Sequence, residues 1–403
     1  MTPFLRKLLG MNWMLILFMY GLLIFGVFVI QSAARHLEVS PESIAQYGSA
    51  GAAFASKQKT WILLGSVVFF AAALVDYRWI RWLGIPVYAA GLVLLVMAML
   101  RDDEVHQLKI AGLSFQPAQL GISSGILMLA WLMQDLPRLH RWFGSPLVRI
   151  GLIGVISGIP FLIVMKMGDM GSALVWIPVV VVALLVGGVP FRHLTFMTLV
   201  SAGMVPILYF VVLPKVSDRG PMRIDLWLKM SQGQEVDVLG PAWGPYWATM
   251  AVGKSGWKGV GWNAPPEKNS LTAKGYPSLT TNHNDYIFVV IAEEFGFRGT
   301  LALLIAYAVL LVQCLLVAYY SRDISGRLIA ALVLTLIFAH VFESIGMCVL
   351  LLPITGIPLP FISYSGTFVV ICKFLMGLVQ SVWIHRFDRP SRIVESAAEP
   401  QGF

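Results

Sequence analysis

Three carboxylates fall within ten residues where a long polar stretch meets an apolar run: Asp285 at the junction, then Glu293 and Glu294 inside the run, with His283 two residues before the first. Ionisable groups at membrane depth are costly, so they face an interior cavity or a partner. A carboxylate held outward at such a junction could take a proton from an alcohol. The preceding polar stretch carries Arg219, Arg223, Lys229, Lys254 and Lys258. Arginine grips phosphate through its two-pronged guanidinium and lysine acts as a point charge. An acid beside such cations is what a lipid-linked anionic donor would need. Each residue also has a plainer use. Asp285 can cap the helix it opens, a role compatible with facing outward. Glu294 and Arg298 are four apart and can pair along one face. Glu343 and Lys373 lie about 13 and 16 Å from the ends of their own spans at ~1.5 Å per residue. Because an isolated buried charge is expensive, these two are expected to meet. Lys166 and Asp169 border a short connection and read as a local pair, and loop cations are commonly just solvated.

The elements that must position these groups are apolar helices. Of 403 residues, 58% are hydrophobic and only 12% charged, too few charges to cover a soluble protein of this length. The runs predict an all-α polytopic membrane protein with ten spans, at roughly 12–33, 59–76, 79–99, 115–134, 147–165, 171–188, 191–213, 284–318, 327–351 and 362–384. The first is read as a retained span, not a cleaved signal. One large segment, about 214–283, separates spans seven and eight, and its tryptophans suit the headgroup layer. Arginines concentrate on the other side, as at Arg78, Arg81, Arg149, Arg192, Arg322 and Arg327, so both termini, including a tail of about 385–403, are expected in the cytoplasm. The net charge of +8 reads as this topological bias, not as affinity for nucleic acid. Cys314, Cys348 and Cys372 all sit in apolar runs and are expected to pack without disulfides. No phosphate loop, Cys or His metal box, serine elbow or internal repeat appears.

The run Asn282-His283-Asn284-Asp285-Tyr286-Ile287-Phe288 with Ala292-Glu293-Glu294-Phe295-Gly296 resembles the His-Thr-Asp-Phe-Ile-Phe…Glu-Glu-x-Gly motif of the SEDS family (shape, elongation, division and sporulation). The stretch from Pro353 through Thr355-Gly356-Ile357-Pro358-Leu359-Pro360 to Ser363-Tyr364-Ser365-Gly366-Thr367 resembles its Pro-Leu-Pro-Phe-x-Ser-Tyr-Gly-Gly-Ser motif, in the form typical of the elongation branch. Phe115-Gln116-Pro117, Gly168-Asp169-Met170-Gly171-Ser172-Ala173, Met222-Arg223-Ile224 and Lys258-Gly259-Val260-Gly261 match further motifs in the family's order.

The resemblance implies a peptidoglycan glycosyltransferase of the bacterial inner membrane. It would polymerise lipid II beside a class B penicillin-binding protein and surrounding membrane lipids. Asp285 would be the catalytic residue, with Arg223, Lys254, Lys258, His283, Gln116, Ser363 and Tyr364 on the substrate. A divalent cation, magnesium or manganese, is compatible with a diphosphate leaving group, and no organic cofactor is expected. The chain departs from the pattern at Gln107-Leu108, where the family has Arg-Trp, and at Ala118-Gln119-Leu120-Gly121-Ile122, where a Glu and a Lys are replaced. Thr281 stands where the family has Glu, and Gly253-Lys254-Ser255-Gly256 stands for Gly-Ser-Gly-Gly, so that Lys254 is expected to return a cation to the cavity. Two other readings use the same charges: a flippase for a lipid-linked precursor, and a weakly active scaffold for the penicillin-binding protein.

Overall fold

The computed structural model describes residues 3–101, 108–110, 113–207, 219–278 and 280–387. Gln107, the end of the predicted seventh span with the first residues of the 214–283 segment, and the tail beyond residue 387 lie outside the described residues. Polar caps start the apolar helices and turns stop them. Asn12 accepts from the Leu15 N–H, Ser49 from Ala52 and Asp323 from Gly326, each satisfying an orphan donor of a first turn. The helices are α1 (Pro3–Leu9), α2 (Trp13–Ala33), α3 (Pro41–Tyr47), α4 (Ala50–Leu74), α5 (Tyr77–Ile80), α6 (Gly84–Met99), α7 (Pro117–Leu139), α8 (Pro146–Lys166), α9 (Met170–Leu174), α10 (Trp176–Val186) and α11 (Phe191–Ile207). Then come α12 (Arg219–Ser231), α13 (Trp243–Lys254), α14 (Ile287–Tyr320), α15 (Ile324–Cys348) and α16 (Gly366–Ile384).

Seven helical stretches among the described residues are long and apolar enough to cross a membrane: α2, α5 with α6, α7, α8, α14, α15 and α16. The other predicted spans fall on α4, which carries Lys57 and Lys59, on the short apolar pair α9–α10, and on α11, which reaches the edge of the described residues. The all-helical expectation misses one feature, a hairpin of β1 (Leu108–Ile110) and β2 (Leu113–Phe115) paired antiparallel through Leu108 and Phe115.

One end of the bundle is tied by polar contacts among α2, α4, α5, α14, α15 and α16. The Asn12 N–H donates to Gln380 Oε1 at 3.0 Å, and Asn12 Nδ2 donates to Gln313 Oε1 at 3.0 Å. Ser381 Oγ donates to the Val75 carbonyl at 2.6 Å, and the Tyr77 hydroxyl to Asp323 at 2.6 Å. The candidate residues gather at the other end.

Helix α14 is two helices joined at Gly296, whose φ of 67° and ψ of −164° belong to a region open essentially to glycine. The 256–261 loop fills the break and takes the released backbone groups. Phe297 N–H donates to the Gly256 carbonyl at 2.8 Å, while Val260 and Gly261 donate to the Glu293 and Glu294 carbonyls, each at 2.9 Å. A Cβ at Gly296 would meet the backbone of Gly259 and, at 2.7 Å, of Lys258. Gly296→Ala is therefore expected to destabilise the protein by at least roughly 1–3 kcal/mol. Thermal unfolding in detergent reads this, and an unshifted transition would contradict the strain at this position.

The kink also changes the charge pairing. Glu294 and Arg298 straddle it, so their four-residue spacing no longer places them on one helical face. Glu294 instead binds Arg35 Nη2 at 3.3 Å, the Asn263 N–H at 3.1 Å and the Ser32 hydroxyl, while Arg298 is exposed. Glu293 accepts from Ser270 Oγ at 3.0 Å and the Thr272 N–H at 2.9 Å, and so pins a turn of the 214–283 segment. The expected pair of Glu343 with Lys373 does not form. Fully buried Lys373 donates to the Ile62 carbonyl at 2.9 Å and to the Ser66 and Tyr20 hydroxyls, with its ammonium 4.3 Å from the Tyr20 ring centroid. Similar depth in two spans says nothing about which faces meet, and α16 turns Lys373 toward α2 and α4.

Candidate active site at one end of the bundle

Asp285 is placed by its backbone. The Thr281 carbonyl accepts from the N–H groups of Asn284 and Asp285, both at 3.0 Å, closing a tight turn before α14. The apolar-proline segment after α15 clamps that turn. Ser363 Oγ donates to the Asn284 carbonyl at 2.7 Å and accepts from the Leu359 N–H at 2.8 Å, and the Tyr364 N–H donates to the His283 carbonyl at 2.9 Å. The N-cap of α14 is Tyr286, without a side-chain capping bond. The capping reading of Asp285 therefore fails, because the residue sits one position too early. No hydrogen bond reaches its carboxylate from the described residues.

That carboxylate faces the turn at Gly356, where φ is 70° and a Cβ would lie 3.6 Å from Asp285 Oδ2. Arg223, on α12, donates to the Ile354 carbonyl at 3.4 Å beside the same turn. Asp169 approaches from α9, whose Gly171 packs against Thr355, with a Cβ there meeting the Thr355 carbonyl at 3.0 Å. Burial, repulsion by Asp169 and attraction by Arg223 act together on Asp285. Burial dominates, and the acid is pushed up to about 7. Near neutral pH it is thus divided between its two protonation states, where a proton acceptor works best.

Asp169 does not pair with Lys166, which is exposed. It caps α9, accepting from the Ser172 N–H at 3.0 Å, and takes a bond from Gln116 Nε2 at 3.3 Å. Gln116 thus reaches the site through Asp169. Glu343, on α15, lies within electrostatic reach of Asp169 and has one carboxyl oxygen buried without a partner among the described residues. Reading it as an ion-pair member missed that it belongs to this acidic cluster. In the position of the missing family Glu, Gln119 spans Ser172 at 3.4 Å and His340 at 3.1 Å, so neutral hydrogen bonds replace a charge there.

Four of the predicted substrate contacts, His283, Ser363, Lys254 and Lys258, have other surroundings in the fold. His283 is wedged between Phe54 and Tyr364, with ring centroids at 5.1 and 5.5 Å, and burial lowers it to about 4, leaving it neutral. Ser363 is buried and spends its hydroxyl on the clamp. Lys254 and Lys258 are exposed at the Gly296 kink, at the far end of a helical segment ~13 Å long from Asp285. The spacing in sequence could not show that the loop folds back onto the kink. Tyr364 packs on His283 and Phe54 and shapes the turn. A cleft of ≈ 490 Å³ opens next to the turn, walled by Trp243, Tyr276 and Tyr286 and floored by Thr281. The Trp243 and Tyr276 ring centroids lie 5.3 Å apart with their planes tilted by 37°, an aromatic wall to the cleft.

A helical bundle with seven stretches able to cross a membrane among the described residues, and with a buried acid, an arginine and an aromatic cleft at one end, defines an integral membrane protein with a polar site at one end of its bundle. The family model of the FtsW, RodA and SpoVE cell cycle proteins matches residues 12–388, and the chain belongs to that family. The peptidoglycan glycosyltransferase MrdB of Escherichia coli (strain K12) is 29% identical over 273 residues, 68% of this chain and 69% of that protein. Stage V sporulation protein E of Bacillus subtilis (strain 168) is 26% identical over 337 residues, 82% of this chain and 86% of that one. The fold is that of the rod shape determining protein RodA of Thermus thermophilus (TM-score 0.63, 22% identity, covering 94% of this chain and 98% of that one). A chain of a peptidoglycan synthase complex superposes with a TM-score of 0.74 at 23% identity, covering 94% of this chain and 99% of that one.

Proposed function

We propose that the chain is a peptidoglycan glycosyltransferase that polymerises lipid II during cell-wall elongation, with Asp285 as general base. The observation that carries this reading is a carboxylate without a hydrogen bond from the described residues, held in front of the Gly356 turn beside Arg223. In the step, the 4-hydroxyl of an acceptor sugar gives its proton to Asp285 while its oxygen bonds to the donor's anomeric carbon. The bond from that carbon to the diphosphate breaks, the diphosphate leaves with the electron pair, and the α-linked donor becomes a β-linked product. Arg223 stabilises the charge growing on the diphosphate. Among the described residues no group of three His, Cys, Asp or Glu side chains is placed to hold a metal ion. A divalent cation would enter on the substrate's own diphosphate.

The polyprenyl chain needs apolar surface beside the site. An apolar groove of ≈ 270 Å³ lined by Trp61, Leu64, Leu120 and Val370, between α4, α7 and α16, supports such access. The site end faces the periplasm of the bacterial cytoplasmic membrane, with both termini in the cytoplasm, and a class B penicillin-binding protein is the partner. Purified protein in detergent, given lipid II alone, tests the activity. Glycan polymer is the expected product; a flippase would make none, and neither would an inert scaffold.

A further inference from the structure

The two lysines that do not reach Asp285 lie at the head of a separate groove. Between α2 and α14 lies an apolar channel of ≈ 480 Å³, walled by Gly21 and Phe25 on one side and by Phe295, Gly299, Ala302 and Ala306 on the other. The small residues of α14 keep it open. At its head the 256–261 loop docks on the kink, where Arg298 N–H donates to the Trp257 carbonyl at 3.3 Å and Trp257 stacks on Phe297 at 5.3 Å. Both rings are exposed, at 64% and 53%, as befits residues at a membrane–water boundary. Lys254, Lys258 and Arg298 are all exposed at this head, and none has a carboxylate within ion-pair distance among the described residues. The nearby Glu294 is already bound by Arg35 and Ser32.

We propose that this channel holds one acyl chain of an anionic bilayer phospholipid whose phosphate sits against Lys254, Lys258 and Arg298. Charge complementarity selects an anionic headgroup, because three cations without an acidic partner among the described residues stand on the kink and its docked loop, at the end of an otherwise apolar channel. Length selects a phospholipid. From Leu17 to Phe25 along α2 the channel runs ~12 Å. That suits a chain confined to one leaflet, whose hydrocarbon is about 15 Å deep, and is far too short for an undecaprenyl chain. The site is separate from the Asp285 turn and does not depend on the catalytic reading.

Native mass spectrometry of the full chain in detergent, with added phosphatidylglycerol or phosphatidylcholine of identical acyl chains, tests the proposal. The wild type should retain one phosphatidylglycerol on the order of tenfold to a hundredfold more tightly than phosphatidylcholine. The variant carrying Lys254→Gln, Lys258→Gln and Arg298→Gln should lose that preference, and the single Arg298→Gln should lose part of it. Ala302→Phe, which fills the channel, should weaken both lipids alike. Unchanged thermal unfolding of each variant ties the loss to the site. Equal retention of the two lipids by the wild type, an unchanged preference in the triple variant, or displacement of phosphatidylglycerol by undecaprenyl phosphate at lower concentration would each overturn it.

Discussion

Asp285→Asn is expected to lower the rate of glycan polymerisation by roughly 10²–10⁴-fold, the range a positioned general base supplies. The asparagine keeps the size of the side chain but cannot accept the hydroxyl proton. The turn should survive, because the backbone bonds to Thr281 and the Ser363 and Tyr364 clamps place residue 285 without help from its carboxylate. Insertion and thermal unfolding should therefore match the wild type. Wild-type activity should carry an acid limb centred near pH 7, since the base works only when deprotonated and its carboxyl lies at about 7. Below that midpoint the rate should fall tenfold per pH unit. Polymer synthesis by the asparagine variant at the wild-type rate would remove Asp285 from the chemistry.

Arg223→Gln should be nearly as damaging, at roughly 10²–10³-fold, if the guanidinium holds the charge that develops on the diphosphate. It carries a second signature that a purely structural role would not produce. Arg223 is the cation that holds Asp285 down, against burial and Asp169, so its removal raises the Asp285 carboxyl further. The acid limb of the residual activity should move to higher pH. Asp169→Asn should move it the other way, because a neighbouring negative charge is lost. Arg223→Lys would keep the charge without the two-pronged grip, and should restore the limb more fully than the rate. A rate loss with an unmoved limb in Arg223→Gln would place the arginine away from the acid.

What could be read before folding depended on distance along the chain. Residues Asn282 to Asp285 and the Pro358-Leu359-Pro360 stretch were legible because each is a local pattern. The structure then supplied the contact between them, through Ser363 and the Asn284 carbonyl, across 79 positions. Pairings inferred from depth or helical spacing fared worse. Glu294 and Arg298 were separated by the one glycine whose backbone leaves the helix, and Lys373 found neutral oxygens where an acid was expected. Glu343 reads in sequence as a costly buried charge, but only the fold shows that it comes within electrostatic reach of Asp169.

Composition and apolar run length by themselves determined a membrane-embedded helical bundle, because only helices and closed barrels hide their backbone from lipid, and continuous apolar runs of about 20 residues fit helices and not the short alternating strands of a barrel. They also determined that a few ionisable residues stand apart from that apolar background. Which of these meet was decided by tertiary structure alone. A side chain's partners depend on helix rotation, on the kink at Gly296 and on where the 256–261 loop lands, and no local residue spacing encodes those. The same folding that gathered Asp169 and Arg223 near Asp285, with Glu343 within reach of Asp169, carried the loop of Lys258 away to the Gly296 kink.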